Sequence, residues 1–216
     1  MKFQFDLHIH SKHSFDGVME PRHIVAMARR RGLHGIAVTD HNTIQGGLDA
    51  ASANHAVDFL VVVGAEIQTE VGDILGLFLH KEIRSRNANQ VIDEIRDQNG
   101  VVILPHPFAY HKDLKPELLR RFDAVEIING RDKYEMAERI QREVAFPYSL
   151  TVMGNSDAHL YWEIGQASNE IDMERLCLDD LRNALLSGHC HPTRNRRRSH
   201  VAVYSSRIVK RIKRLT

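Results

Sequence analysis

Cysteine is scarce in this sequence, because only Cys177 and Cys190 occur among 216 residues. Two cysteines cannot build a disulfide scaffold, and neither lies in the histidine-rich stretches, so a structural zinc site with thiolate ligands is not expected. The longest apolar run, FLVVVGA at residues 59–65, is far too short to cross a bilayer. The first residues, MKFQFD, lack the basic and then apolar order of a secretory signal. These absences favour a cytoplasmic protein with reduced thiols and no transmembrane segment.

The sequence also lacks the signatures of several large enzyme classes. It contains no P-loop, no glycine fingerprint of a dinucleotide-binding fold and no H-E-x-x-H motif. The remaining composition is ordinary, with 43% hydrophobic and 26% charged residues, and the length suits one domain with a substantial core. No internal repeat or low-complexity linker marks a second domain.

Acidic residues are missing from residues 191–216, which carry nine Lys/Arg. The preceding part of the chain holds 20 basic and 28 acidic residues, a net charge of −8. Ile208, Ile212 and Leu215 share one helical stripe among the basic residues. We therefore predict a domain of residues 1–190 and a basic C-terminal segment, residues 191–216, that packs on it. This segment either caps the domain, binds nucleic-acid phosphates or binds an anionic membrane surface.

Hydrophobic periodicity predicts strands that alternate with helices. Every second residue from Phe3 to Ile9 is apolar, as in a strand between an apolar core and a polar interior, so residues 2–10 are predicted as the first strand. Further strands are predicted at residues 35–41, 58–67, 73–80, 101–107, 124–129, 149–159 and 200–204, and helices at residues 21–31, 44–55, 87–99, 133–144 and 178–187. This alternation predicts a mostly parallel α/β arrangement.

Side chains that can bind metals cluster where the predicted strands end. They are His8, His10, Asp40, His41, Glu66, His106, Glu126, Asp157 and His159. The carboxyl ends of parallel strands meet at one mouth, so we expect these side chains to converge there. Residues two apart share a face of a strand, so His8 and His10 can reach one point. Imidazole and carboxylate ligands suit zinc, iron or manganese.

The order of these motifs resembles that of a known family. The segments DLHIHSKHSFDG, TDHN, GAEI, LPHP, VEIING and GNSDAH are similar to those of the PHP (polymerase and histidinol phosphatase) family of metal-dependent phosphoesterases. The resemblance extends over about residues 3–187. It implies an α/β fold, namely a distorted seven-stranded β/α barrel related to the TIM barrel. It also implies two or three divalent metal ions, either zinc, manganese or iron.

The resemblance further implies a set of metal ligands. The first ion would be bound by His8, His10, Glu66 and Asp157, the second by Glu66 and His106, and the third by Asp16, His41 and His159. Glu66 can bridge two ions because a carboxylate has two oxygens. This chain has Asp73 where family members often have a histidine, and we include Asp73 among the predicted ligands. Because aspartate is shorter than histidine, the second ion would be bound more weakly, at a shifted position or not at all. The alternative role for Asp73 is that of a turn residue at the start of a strand.

Three residues are predicted to act in catalysis, namely Asp40, His41 and Arg131. Arg131 follows ING and is the candidate phosphate-binding cation, because a guanidinium can hold two phosphate oxygens; the alternative is a solvated loop arginine. Asp40 is expected to orient His41 or to activate water. Glu126 and Asn129 are expected to orient ligands or to contact substrate. The other histidines are expected to lie on the surface or behind the ligands: His13, His23, His34, His55, His80, His111, His189, His191 and His200.

The predicted activity is hydrolysis of a phosphate ester by a metal-activated water, an EC 3.1 type reaction. Only 32 residues separate Asp73 from His106, too few for the inserted helical lid of larger PHP proteins, so we expect an open mouth. The predicted substrate is a small phosphomonoester, a nucleotide or a nucleic-acid end. The alternative is a non-catalytic PHP-like module whose metals hold the fold and whose basic segment binds a partner. An amidohydrolase is a third hypothesis, but no lysine near a strand end matches its usual bridging lysine.

Overall fold

A nine-stranded sheet lies at the centre of the fold. The structure is a computed structural model that describes residues 1–109, 111, 114–131 and 136–195. In these residues the strands are Lys2–Asp6 (β1), Gly35–Val38 (β2), Leu60–Thr69 (β3), Gly72–Leu77 (β4), Val101–Leu104 (β5), Ala124–Asn129 (β6), Thr151–Asn155 (β7), Ala167–Asp172 (β8) and Cys190–Arg194 (β9). Their order in the sheet is β7-β6-β5-β4-β3-β2-β1-β8-β9.

The sheet curves into a nearly closed barrel. Seven of the nine described strands run in one direction, as expected for a mostly parallel arrangement, whereas β4 and β8 run against their neighbours. Ile9 and Ala158 form a parallel bridge between the segments that follow β1 and β7. In this bridge His10 N donates to Ala158 O at 2.8 Å. The bridge therefore brings the two strand-end segments to the same mouth of the barrel.

The predicted count of seven strands is wrong, because the described residues contain nine. β8 and β9 were not predicted, since their sequences, ASNEID and CHPTR, have little apolar character and no clear alternation. β8 pairs antiparallel with β1, and β9 pairs antiparallel with β8. The predicted boundary after residue 190 falls inside β9. Residues 196–216, which include the strand predicted at 200–204 and most of the basic segment, lie outside the described residues.

The helices lie between the strands in sequence. They are Pro21–Arg30 (α1), Gln45–Ala53 (α2), Ala88–Arg96 (α3), Pro116–Leu119 (α4), Ala137–Ile140 (α5), the π-helical turn Gln141–Ala145, Phe146–Tyr148 (α6) and Leu178–Leu186 (α7). α1 begins at Pro21, whose missing N–H is harmless at the first helical position. Residues 133–135 of the helix predicted over 133–144 lie outside the described residues, and the described part of that region forms α5 and the π-helical turn, with α6 following. In the described part of the chain, no helix has the length and apolar content needed to span a membrane.

The strict alternation of apolar and polar side chains between two faces, predicted for residues 2–10, ends before His10. Phe5 and Leu7 pack in a buried cluster with residues of β4, β5 and α7, whereas Ile9 packs in another cluster with α1. The prediction that these apolar residues share one face is therefore wrong for Ile9. β1 ends at Asp6, and the next amide, Leu7 N, donates to the side-chain Oδ1 of Asn155 at 2.9 Å rather than to a strand. With Ile9 turned towards α1, the side chains of His8 and His10 face the polar interior.

Candidate metal centre

Two imidazoles from the segment after β1 meet in the barrel interior. The Nε2 atoms of His8 and His10 lie 3.0 Å apart, and both side chains are fully buried. Behind them, Glu126 Oε1 accepts a hydrogen bond from His8 Nδ1 at 2.9 Å, and Ser14 Oγ lies 3.1 Å from His10 Nδ1. Because these contacts engage the Nδ1 atoms, they direct the Nε2 lone pairs towards a shared position, as in histidines that bind metals.

Glu66 on β3 is surrounded by imidazole nitrogens. Its Oε1 lies 2.9 Å from His106 Nε2. Its Oε2 lies 3.2 Å from His41 Nδ1, 3.3 Å from His10 Nε2 and 3.4 Å from His8 Nε2. The two oxygens therefore face different ligand-type nitrogens, which is the geometry that a carboxylate needs to bridge two cations.

Asp16 reaches the pocket from the turn after the first two histidines. Its Oδ2 lies 3.2 Å from His159 Nε2 and 3.6 Å from His41 Nε2. Asp16 Oδ1 is buried and has no hydrogen-bond partner among the described residues, and His41 Nδ1 is buried with Glu66 Oε2 as its neighbour at 3.2 Å. Buried polar atoms normally have a partner, so Asp16 Oδ1 fits a pocket that a cation would complete. The turn itself is tight, since a Cβ at Gly17 would overlap the carbonyl oxygen of Ser11.

The segment after β7 contributes Asp157. Its Oδ1 lies 3.2 Å from His10 Nε2 and 3.6 Å from His8 Nε2. Asp157 has a φ of 51°, a left-handed conformation that is unfavourable for a residue with a side chain. The preceding amide, Ser156 N, donates to the buried Asp6 Oδ1 at 3.0 Å. Asp6 therefore holds the segment in the conformation that turns Asp157 towards the imidazoles.

The ligand-type atoms form three groups in which all atoms lie within 4.8 Å of one another. The groups are His8, His10 and Glu66; His10, Asp16, His41 and His159; and His41, Glu66 and Asp73. They share residues, so they form one continuous cluster. Imidazole nitrogens and carboxylate oxygens without thiolates are a donor set for zinc, iron or manganese. The residues present thus fit two or three adjoining cations, and Asp73 lies within the cluster.

The charges of the buried carboxylates in the cluster favour the binding of cations. Burial lowers the pKa of His10, but the carboxylates of Asp157 and Glu66 outweigh it and raise that pKa to about 10. Burial raises the pKa of Glu66, yet His41, His8 and the other histidines hold it well below its usual range. Burial, followed by the charge of Glu66, raises the pKa of Asp73 to about 6. These buried carboxylates attract positive charge, and metal ions compete with protons for the same imidazoles.

Arg131 and Asp40 occupy different positions relative to the cluster. Arg131 Nη1 lies 3.1 Å from His159 Nδ1, so the guanidinium is at the edge of the cluster. Asp40 is fully buried, and its two oxygens accept hydrogen bonds from Ser11 N at 2.6 Å and Ser11 Oγ at 2.7 Å. Among the described contacts Asp40 does not bond to the His41 ring. Its visible role is to hold the start of the turn that carries Asp16.

Glu126 lies behind the cluster and accepts four hydrogen bonds. The donors are His8 Nδ1 and Asn155 Nδ2 to Oε1, both at 2.9 Å, and Asn129 Nδ2 and His106 N to Oε2, at 3.0 Å and 3.2 Å. Glu126 thus contacts His8 Nδ1 and His106 N directly, whereas Asn129 Nδ2 donates to Glu126 and to Asp157 Oδ2. Asn155, Ser14 and Glu163 also support the cluster but were not predicted, because a single polar residue at a strand end or in a loop has no distinctive spacing.

The remaining histidines are dispersed. His13 Nε2 lies 2.8 Å from Asp49 Oδ2, and His34 Nδ1 accepts a hydrogen bond from Gln4 N at 3.0 Å. His111 is largely buried and lies beside the cluster, with its Nε2 2.8 Å from the carbonyl oxygen of Asp73. His200 lies outside the described residues.

Replacing Glu126 with glutamine is expected to lower metal affinity by about 10–100-fold. The amide would place an NH₂ donor among groups that are themselves donors, so at least one of His8 and His106 would lose its orientation. Metal affinity would be measured by competition with a chelator of known affinity. Glu138→Gln, at an exposed site in α5, is the matched control and should bind metal like the unmodified protein. Equal affinity in both variants would contradict an orienting role for Glu126.

A sequence model of the PHP domain matches residues 6–160, and a model of the PHP-associated region matches residues 135–190. The first match covers more than half of the chain and contains every predicted metal ligand. This chain belongs to the PHP family.

Curated PHP relatives match parts of the chain. An uncharacterized protein of Methanocaldococcus jannaschii is 39% identical over 115 residues, which are 48% of this chain and 67% of that protein. The 5′-3′ exoribonuclease of Haemophilus influenzae is 39% identical over 69 residues, which are 32% of this chain and 25% of that enzyme.

Solved structures share the fold of this PHP chain. A two-domain protein of Bacteroides vulgatus that contains a predicted PHP-like metal-dependent phosphoesterase has a TM-score of 0.77 at 22% identity, over 89% of this chain and 65% of that one. The lesion-specific endonuclease Q of Pyrococcus furiosus has a TM-score of 0.65 at 17% identity, over 89% of this chain and 58% of that one. The chain thus spans less than two thirds of either structure, and the likeness concerns the fold.

Proposed function

We propose that this PHP protein hydrolyses phosphate esters with the help of divalent metal ions held at the mouth of its barrel. The observation that carries the proposal is the position of Glu66 at the junction of adjoining groups of imidazole and carboxylate ligands. Adjacent divalent cations supply Lewis acidity to a phosphoryl group and lower the pKa of a bound water towards neutrality. Zinc, manganese and iron all suit these ligands.

The proposed assignment of ligands builds on the three groups and on the contacts of His106 with Glu66 and of Asp157 with His10. One cation would be held by His8, His10, Glu66 and Asp157, a second by Glu66, His106 and Asp73, and a third by Asp16, His41 and His159. Each set combines imidazole with carboxylate, and the neighbouring side chains already orient the ligands. Glu126 holds His8, while Asp40 holds the turn of Asp16. The protein therefore holds these ligands close together before substrate binds, so that no rearrangement is needed when substrate arrives.

Arg131 is proposed to bind the phosphoryl oxygens that the cations do not reach. Its guanidinium lies beside His159, and its side chain is mostly buried, with an exposed fraction of 17%. A planar guanidinium can donate two parallel hydrogen bonds to phosphate. A mostly buried arginine is also more strongly attracted to an anion than a solvated one, because water screens it less.

The proposed substrate is a small phosphomonoester, a nucleotide or the end of a nucleic acid. Between Asp73 and His106 the described chain forms the rest of β4, α3 and β5, so that no extra helical domain lies over the mouth at this connection. The named relatives include an exoribonuclease, and an endonuclease Q structure holds a duplex with an abasic lesion at its active site. These relatives make nucleotide-containing esters the first ones to test.

Phosphate release is the direct test of this proposal. Purified protein would be treated with chelator, reloaded with manganese, zinc or iron, and incubated with p-nitrophenyl phosphate, histidinol phosphate, a nucleoside 3′,5′-bisphosphate and a 5′-phosphorylated RNA. We expect turnover that chelation abolishes and metal restores, and that His8→Ala does not show. Tight metal binding without turnover on any ester would instead support a non-catalytic module in which metals stabilise the fold.

A further inference from the structure

Glu163 is a buried carboxylate four residues after His159. Its exposed fraction is 2%, and its Oε2 accepts hydrogen bonds from His159 N at 2.8 Å and from Leu160 N at 2.9 Å. A buried carboxylate is strongly destabilising unless hydrogen bonds or a cation compensate its charge. The two backbone donors satisfy one oxygen of Glu163 and tie down the segment that carries His159.

The other oxygen of Glu163 faces Arg131. Glu163 Oε1 lies 3.5 Å from Arg131 Nη1, and the same nitrogen lies 3.1 Å from His159 Nδ1. Arg131 Nε lies farther from the second carboxylate nearby, at 4.0 Å from Asp157 Oδ2. Of these two acidic neighbours among the described residues, Glu163 is the nearer to the guanidinium.

Glu163 and Asp157 make different contacts beside the guanidinium of Arg131. Asp157 Oδ1 faces His8 and His10, whereas the described side-chain contacts of Glu163 are with the backbone of His159 and Leu160 and with Arg131. Without the charge of Glu163, Asp157 would be the nearest acidic group to Arg131 among the described residues, and their attraction is poorly screened because both side chains are mostly buried. The guanidinium would then compete with a cation for Asp157 and would leave its place beside His159.

We propose that Glu163 is a positioning residue that holds Arg131 beside His159, where the guanidinium meets the phosphoryl oxygens of the substrate. This inference rests on the proposed phosphoesterase function. It identifies the residue that orients the guanidinium of Arg131 towards the phosphate. It also explains why a carboxylate that is not a ligand is buried at the edge of the cluster.

Glu163→Gln tests the inference, because glutamine keeps an oxygen for the two backbone donors and removes the charge that faces Arg131. We expect the metal content of the variant to be unchanged and its affinity for inorganic phosphate to fall about 10-fold or more, with a similar fall in kcat/KM. Phosphate affinity would be measured by calorimetry on the metal-loaded protein. In an Arg131→Gln background, Glu163→Gln should cause no further loss.

Controls separate positioning from a general effect on structure. Glu143→Gln breaks an exposed Glu–Arg pair with Arg139 and should leave phosphate affinity unchanged. Glu163→Asp keeps the charge on a shorter side chain, and its phosphate affinity should lie between those of the unmodified protein and Glu163→Gln. Unchanged phosphate affinity in Glu163→Gln, or an equal loss in the Arg131→Gln background, would overturn the inference. Because calorimetry needs no turnover, a protein that binds phosphate but cleaves no ester would refute only the proposed function.

Discussion

Replacing Glu66 with glutamine is expected to lower metal-dependent phosphate release by about 10²–10³-fold. Glu66 lies within 3.4 Å of nitrogens on four histidines, and its two oxygens face different members of the cluster. Glutamine is neutral and has one acceptor oxygen, so it cannot bridge two cations. Its NH₂ group would either occupy an imidazole lone pair that would otherwise bind metal or be repelled by a cation. The same loss should appear in the metal content, which elemental analysis measures.

A matched glutamate on the surface provides the control for this substitution. Glu170 lies on β8 and pairs with Lys2 at the exposed edge of the molecule. Glu170→Gln should retain full metal content and full activity. If Glu66→Gln bound the same number of ions as the unmodified protein and hydrolysed the ester at the same rate, Glu66 would not bridge the centre, and the ligand assignment would have to change.

Removing metal is expected to lower the melting temperature by about 5–10 °C. A ligand at about 100 times its Kd stabilises the folded state by roughly 2.7 kcal/mol, and 1 kcal/mol shifts the melting temperature of a protein of this size by about 2–4 °C. The effect is expected because the cluster joins segments from distant parts of the chain, including His8, Glu66 and Asp157. Thermal unfolding of chelated and reloaded protein, followed by circular dichroism, measures the shift.

Two variants make the thermal experiment specific to the cluster. Glu66→Gln should show a smaller difference between the chelated and reloaded forms. His191→Ala removes an exposed histidine of β9 that pairs with Asp172, and it should keep the full difference. Identical melting temperatures of the chelated and reloaded unmodified protein would contradict a structural contribution from metal. A large shift without any ester hydrolysis would favour the non-catalytic module.

Much of the metal centre could be predicted from the sequence. His8 and His10, TDH, GAE, HP and SDAH each follow an apolar strand, and parallel strands carry their ends to one mouth. The structure brings all nine predicted ligands together at this mouth, including Asp73, although histidine is more usual at that position.

Supporting residues could not be predicted in the same way. Ser14 and Glu163 contact the predicted ligands His10 and His159, whereas Asn155 contacts Glu126 behind the cluster. No spacing in the sequence distinguishes these three residues from other polar residues. Asp40 was expected to orient His41 or to activate water, and in the structure its oxygens accept hydrogen bonds from Ser11, which is 29 residues away. This contact could not be predicted, because it joins the turn after β1 to the end of β2 only in the folded chain.

By itself, the sequence determined the α/β class, most strand and helix positions and the residue types that converge at the mouth. These features depend on periodicity and on the ends of apolar runs, which are local properties. The tertiary structure alone decided the addition of β8 and β9, the phase change between Leu7 and Ile9, and the partners of Asp40 and Glu163. These features depend on contacts between distant segments, such as the bridge of Ile9 with Ala158, where burial and hydrogen bonding override the local pattern.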